Sequence, residues 1–132
     1  MSNSQAIQAI ENVLATSKVG VLSTAYNNKP NSRYMVFYND GLTLYTKTNI
    51  HSAKVKEIKD NPAAYVLLGY NDTTNRSFVE MEATIEIVTE QEVIDWLCSS
   101  KEDPELCVLR VVPQSIKLMN DKSLDTPIKI DL

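Results

Sequence analysis

FVEMEATIEIV, residues 78–88, alternates without interruption: Val79, Met81, Ala83, Ile85 and Ile87 fall on one face of an extended chain, and Glu80, Glu82, Thr84 and Glu86 fall on the other. Such a strand buries one face against a core and turns the other to solvent or to a partner. Upstream, AAYVLLGY (63–70) is a second apolar strand, and NDTTN (71–75) is the polar loop between them. Before these, SAKVKEIKD (52–60) places Val55 and Ile58 on one helical side, and Asn61-Pro62 ends the helix, because the residue before proline avoids helical backbone angles. VGVLSTAY (19–26), RYMVFY (33–38) and LTLYT (42–46) read as a three-strand meander turned by NNKPN (27–31) and Asn39-Asp40-Gly41. An amphipathic helix over about residues 4–16 precedes them, with Ile7, Ile10 and Leu14 on one face. Downstream, Thr89 and Glu92 fit a capping box opening a helix over about 90–100 with Val93, Ile94 and Leu97 as its stripe. LCVLRVVP (106–113) is apolar on both faces, as expected of a strand with the interior on one side and a helix or partner chain on the other. A last strand near 115–120 continues it through a bend at Pro113. The expected fold is therefore mainly β with short helices, a small antiparallel barrel formed by residues 1–132 as one domain.

Composition narrows the function. The chain has 132 residues, and its net charge of −4 excludes a general binder of nucleic acid or anionic membrane. Three scattered glycines, Gly20, Gly41 and Gly69, exclude a dinucleotide-binding GxGxxG and a Walker loop. His51 with Cys98 and Cys107 cannot build a His/Cys zinc site, so no metal is expected, and the cysteines read as free thiols without a role. The N-terminus lacks a basic stretch followed by an apolar one, and no run reaches the roughly 18 apolar residues of a membrane span. A cytoplasmic location is the expectation.

The charge is unevenly divided. Residues 1–59 carry +4 and residues 60–132 carry −8. Within the positive half, YTKTNIHSAKVKE sets Thr46, Lys47 and Thr48 at a strand end and Ser52 and Lys54 at the first turn of a helix. A helix N-terminus offers unpaired N–H groups and the positive end of the dipole, so hydroxyls and a lysine gathered there suit an anion without any glycine loop. Arg33, opening an earlier strand, adds a possible bidentate contact to phosphate oxygens. The plainer reading stands beside this one: Ser52 caps the helix, the threonines are ordinary strand residues, and the lysines form a solvated face.

The succession RYMVFY, LYTKT, a short polar turn into SAKVKEIKDNP, then an apolar strand resembles the pyridoxamine 5′-phosphate oxidase-like family, specifically its general stress protein branch of small FMN-binding split barrels. The resemblance implies a homodimeric split barrel with FMN in a cleft between two protomers. It implies that Arg33, Lys54, Ser52, Thr46 and Thr48, with Lys47 beside them, hold the phosphate. It implies further that Tyr34, Met35 and Val36 contact the isoalloxazine ring. The activity implied is an oxidoreductase acting on an unidentified small molecule, with flavin as the carrier.

Departures from the family pattern limit what is carried over. The end, NDKSLDTPIKIDL, has neither the Arg nor the His with which true pyridoxamine phosphate oxidases grip their substrate, so that activity is not implied. The stress-protein branch places a tryptophan late in the final strand, whereas Leu118-Met119 stand there and the single Trp96 lies on the preceding helix, where it reads as a core or dimer contact. His51 reads either as a phosphate or proton-relay contact or as an exposed turn residue, and Glu80, Glu82 and Glu86 as a solvated sheet face. Two alternatives remain: a non-catalytic binder of FMN, a deazaflavin or haem on the same barrel, and a cofactor-free interaction module using its acidic face.

Overall fold

The computed structural model describes residues 3–74, 76–98 and 105–132. Helix α1 (Asn3–Thr16) leads into strands β1 (Val19–Tyr26), β2 (Lys29–Val36), β3 (Tyr38–Asp40) and β4 (Thr43–Asn49). Helix α2 (Ala53–Asp60), strands β5 (Ala63–Leu68) and β6 (Phe78–Ile87), helix α3 (Gln91–Leu97) and strands β7 (Leu106–Met119) and β8 (Ile128–Asp131) complete the order. All strands form one sheet in the order β2-β1-β5-β6-β7-β4-β3, with β8 beside β7, and every pairing is antiparallel.

β2 and β3 end this order at opposite edges, yet only Phe37 separates them in the chain. The sheet must therefore curl until its two edges meet, and the result is a split half-barrel. Phe37 is the pivot: its ring is buried in the core and its N–H donates to the Lys18 carbonyl at 2.7 Å. Across the seam, the Thr46 hydroxyl on β4 donates to the Val36 carbonyl on β2, also at 2.7 Å.

The inward faces of β1, β5, β6 and β7 supply Leu22, Val66, Leu68, Val79, Met81, Ile116 and Leu118, all fully buried, and α1 closes the barrel with Ile10 and Leu14. Burial of each such side chain contributes about 1.5–3 kcal/mol. On β6 the alternation of residues 78–88 is realised, with Val79, Met81, Ala83 and Ile85 inside. β7 is apolar on both faces because Leu109 and Val111 enter the main core while Val108 joins Tyr45, Val88 and Leu97 beneath α3.

Several boundaries differ from those expected, each for a local reason. The turn after β1 is only Asn27-Asn28, whose φ values of 50° and 64° form a tight two-residue hairpin, so β2 begins at Lys29 instead of Arg33. RYMVFY is not one strand but is broken at Phe37. β5 stops at Leu68 because Gly69 has φ +92°. The expected capping box is absent: the cap position of α3 is Glu90, with no side-chain hydrogen bond to the helix. Residues 99 and 100 of the helix expected over 90–100 lie outside the described residues. The two expected strands at 106–113 and 115–120 form the single β7. In β7 Ser115 pairs with Glu82 and Pro113 with Ala83, leaving Gln114 as the extra residue of a bulge. β8, paired with β7 and packing Ile128 and Ile130 on the core, has no counterpart among the expected strands.

Candidate functional site

The expected anion site lies where β4 ends and α2 begins. Thr48 is the last buried side chain of β4, three residues separate it from Ser52, and α2 starts at Ala53. Ser52 occupies the cap position but makes no side-chain cap hydrogen bond. Its hydroxyl points instead toward the cluster, 3.4 Å from the Thr48 hydroxyl and 3.5 Å from Lys54 Nζ. Lys54 Nζ also donates to the Thr48 hydroxyl. The end of β4 and the start of α2 thus bring two hydroxyls and an ammonium to one point, an arrangement suited to oxyanions.

Arg33 reaches the same region from β2. Its Nη1 donates to the Thr24 hydroxyl at 2.9 Å and to the Leu22 carbonyl at 3.3 Å, while Nη2 lies 3.8 Å from Glu57 Oε2. Asn31, Ser32, Arg33, Ser52, Lys54 and Glu57 line an open cavity of about 380 Å³. An adjoining groove of about 210 Å³ shares Ser32 and Arg33 and continues to Val21 and Tyr34. Burial, and next the nearby Arg33 guanidinium, hold the Lys54 ammonium below its ordinary pKa. Two cations drawn together repel, and an anion between them relieves that repulsion.

Of the residues singled out in the sequence, Arg33, Thr48, Ser52 and Lys54 converge. Thr46 and Lys47 do not. Thr46 is buried with its hydroxyl committed to Val36 across the seam. Lys47 points to the opposite face of β4, donating to the Leu97 carbonyl at 3.0 Å and lying 5.6 Å from the centre of the Tyr38 ring. Strand alternation imposes this, since neighbours in an extended chain face opposite ways.

The same rule divides the expected ring contacts. Met35 packs inward against the core beside Arg33, whereas Tyr34 is 79% exposed and Val36 47% exposed on the outer face. Ser32 and Arg33 line both the cavity and the groove, although the Arg33 and Tyr34 side chains leave β2 on opposite faces. β2 is moreover a terminal strand of the sheet order, with one backbone edge lacking a ladder partner.

His51 is largely exposed and its Nε2 lies 3.6 Å from Glu105, away from the cluster contacts. Glu86 pairs with Arg110 at 2.6 Å, and Glu80 and Glu82 flank Tyr65, so this row is a surface feature of the sheet. Trp96 packs edge-on against Tyr45 with ring centres 5.6 Å apart and remains half exposed. Among the described residues Cys98 and Cys107 are not joined in a disulfide.

Glu57, Thr24, Asn31 and Ser32 belong to this region and were missed by sequence reasoning. Glu57 had a signal, because it follows Lys54 by three positions and so shares its helical face. Thr24 becomes visible only through the register that sets Leu22 opposite Arg33. Cys107 was missed for the same reason: it stands directly opposite Thr48 in the β4–β7 ladder. Burial holds its thiol above the ordinary pKa, against the opposing pull of Lys54.

Comparison with known proteins agrees with this fold. The family model described as pyridoxamine 5′-phosphate oxidase matches residues 6–120. General stress protein 26 of Bacillus subtilis (strain 168) is 38% identical, with 95% of each chain covered. The crystal structure of General Stress Protein 26 from Bacillus anthracis str. Sterne superposes with a TM-score of 0.84 at 25% identity, covering 97% of this chain and 99% of that one. At lower identity the fold alone is shared with an FMN-binding protein related to pyridoxamine 5′-phosphate oxidase from Nostoc punctiforme (TM-score 0.61, 16% identity, 88% of this chain and 81% of that one). A haem-binding protein from Mycobacterium smegmatis and an F420 reductase also share it, with TM-scores of 0.76 and 0.63. With its sequence matched from residue 6 to residue 120 and its curled sheet superposing on that of a general stress protein, the chain belongs to the pyridoxamine 5′-phosphate oxidase family.

Proposed function

We propose that this protein binds FMN and serves as a flavin-dependent oxidoreductase toward a small molecule. The observation that carries the reading is Ser52: a cap-position serine that leaves its helix uncapped and joins Thr48 and Lys54, with Arg33 lining the same cavity. Lys54, Ser52, Thr48 and Arg33 hold the phosphate. The groove running past Val21 and Tyr34 takes the ring system, with Tyr34 on the edge strand β2 beside it. When bound, the flavin supplies the redox chemistry, and the protein supplies position and electrostatics.

The working unit in this reading is a homodimer with the cofactor at the subunit interface. Support comes from the outer face of the β1–β2 hairpin, where Val19 pairs with Val36 and Val21 with Tyr34, and where Val19, Tyr34 and Val36 are all exposed. An apolar band on a sheet face, next to the ligand groove, suits burial against a second copy. Among the described residues no helix is long and apolar enough to cross a membrane, and a cytoplasmic location fits this reading.

The test is direct. Purified protein should carry or take up FMN, show flavin absorption, and bind FMN more tightly than riboflavin, which lacks the phosphate. Bleaching by NAD(P)H supports the enzyme. Flavin uptake without bleaching by any reductant supports a non-catalytic carrier. Protein that takes up a deazaflavin or haem in preference to FMN, or none of the three, refutes the cofactor assignment.

A further inference from the structure

Glu57 places a carboxylate inside the cavity that holds Arg33 and Lys54. Its Oε2 lies 3.8 Å from Arg33 Nη2 and accepts from the Thr24 hydroxyl at 3.4 Å, and its Oε1 accepts from Asn31 Nδ2 at 3.3 Å. These contacts are long. Arg33, by contrast, is fixed through Nη1 by neutral acceptors, Thr24 Oγ1 at 2.9 Å and the Leu22 carbonyl at 3.3 Å. The guanidinium therefore keeps its place without the carboxylate, and Nη2 is the nitrogen left to meet an anion.

We propose that Glu57 is an internal counter-ion that competes with the ligand's phosphate for Arg33 and so sets the affinity of the site. This rests on the reading that the cavity takes the cofactor phosphate. With Glu57 in place the cavity holds two cations and one anion, and an entering phosphate must displace or share Arg33 with a fixed negative charge. Glu57 then weakens binding, and a neutral isostere strengthens it. A group whose purpose was to orient Arg33 would have the opposite sign on removal.

The experiment compares Glu57→Gln with the parent, titrating FMN and riboflavin by quenching of flavin fluorescence and inorganic phosphate by the rise in unfolding temperature. FMN should bind the variant about tenfold tighter, equivalent to about 1.4 kcal/mol, while riboflavin affinity stays the same. Inorganic phosphate should stabilise the variant at lower concentration than it stabilises the parent. Glu57→Ala should change FMN affinity in the same direction, and it substitutes if the Gln variant does not fold. Unchanged or weaker FMN binding overturns the proposal. So does tightening of FMN and riboflavin by the same factor, because the gain would then lie outside the phosphate. If the parent binds neither flavin yet phosphate stabilises the variant more strongly than the parent, the counter-ion stands and the flavin reading falls. If neither protein responds to FMN or phosphate, both are overturned.

Discussion

Lys54→Met separates ligand binding from folding more sharply than any other change at the site, because the methionine keeps the stem and removes only the ammonium. Lys54 Nζ bonds to the hydroxyls of Thr48 and Ser52, and both stay in place without it. A hydrogen bond to a charged group contributes about 1.5–3 kcal/mol, and the part-solvated position of Lys54 argues for the lower half of that range. FMN binding should then weaken about 12–40-fold, with riboflavin binding unchanged. The folded protein without ligand should respond differently. Burial and then Arg33 hold the Lys54 pKa below 10.5, so carrying the charge costs more in the folded than in the unfolded state. Between that lowered pKa and 10.5 the folded chain holds fewer protons than the unfolded one, and the contribution of Lys54 to stability rises with pH. The variant should lack that rise and should melt at the same temperature as the parent, or slightly higher, at neutral pH. FMN affinity of the parent should fall with pH before 10.5 is reached. Flavin fluorescence titration and thermal melts over a pH series measure both effects. Equal FMN affinity in variant and parent removes Lys54 from the site, and equal weakening of FMN and riboflavin shows that it acts elsewhere.

Three further outcomes are expected. Gly20→Ala would set a Cβ 2.7 Å from the Leu67 carbonyl oxygen and from Leu68 Cδ1, and since backbone cannot yield cheaply, a chemical melt should show about 1–3 kcal/mol of lost stability. Replacing Tyr34 and Val36 together by serine and threonine should shift sedimentation from a species of twice 14.8 kDa toward the single chain and weaken FMN with it; a parent that sediments as a monomer refutes the dimer. Cys107, its thiol pushed up by burial, should react with an alkylating reagent near neutral pH more slowly than a free thiol, and more slowly again in Lys54→Met, where the cation that favours its thiolate is gone.

The legible parts of the molecule were those whose signal is local. Residues 78–88 declare a strand because every second side chain is apolar, and Ser52, Lys54 and Thr48 declare a cluster because a strand end and a helix start lie four to six residues apart. What depended on remote pairing was hidden. IKID at 128–131 is too short to announce a strand and becomes one only beside Ser115–Leu118 of β7. Phe37 reads as one more apolar residue of RYMVFY, and its role as pivot follows from edges of the sheet that only closure brings together. Lys47 is a different case. Period two already sets it opposite Thr46 and Thr48, and only its charge aligns it with the cluster. Glu57 carries the wrong charge for a phosphate ligand, although it lies one helical turn from Lys54.

The single-residue step at Phe37 has a consequence for how the protein breathes. Elsewhere neighbouring strands are laced by ladders, whereas the two edges that meet at the seam are tied by the Thr46 hydroxyl on Val36. Opening along that line breaks this bond and the contacts of Glu57 with Arg33, Asn31 and Thr24 but no strand ladder, so it is the natural route of partial unfolding. Arg33 stands on one bank, and Thr48, with Lys54 bonded to it, stands on the other. A ligand gripped by both would stitch the banks, so retention of the cofactor and closure of the barrel form one equilibrium. Amide exchange at Val36 and Phe37 is then the gauge of occupancy, slow when the site is filled and fast when it empties.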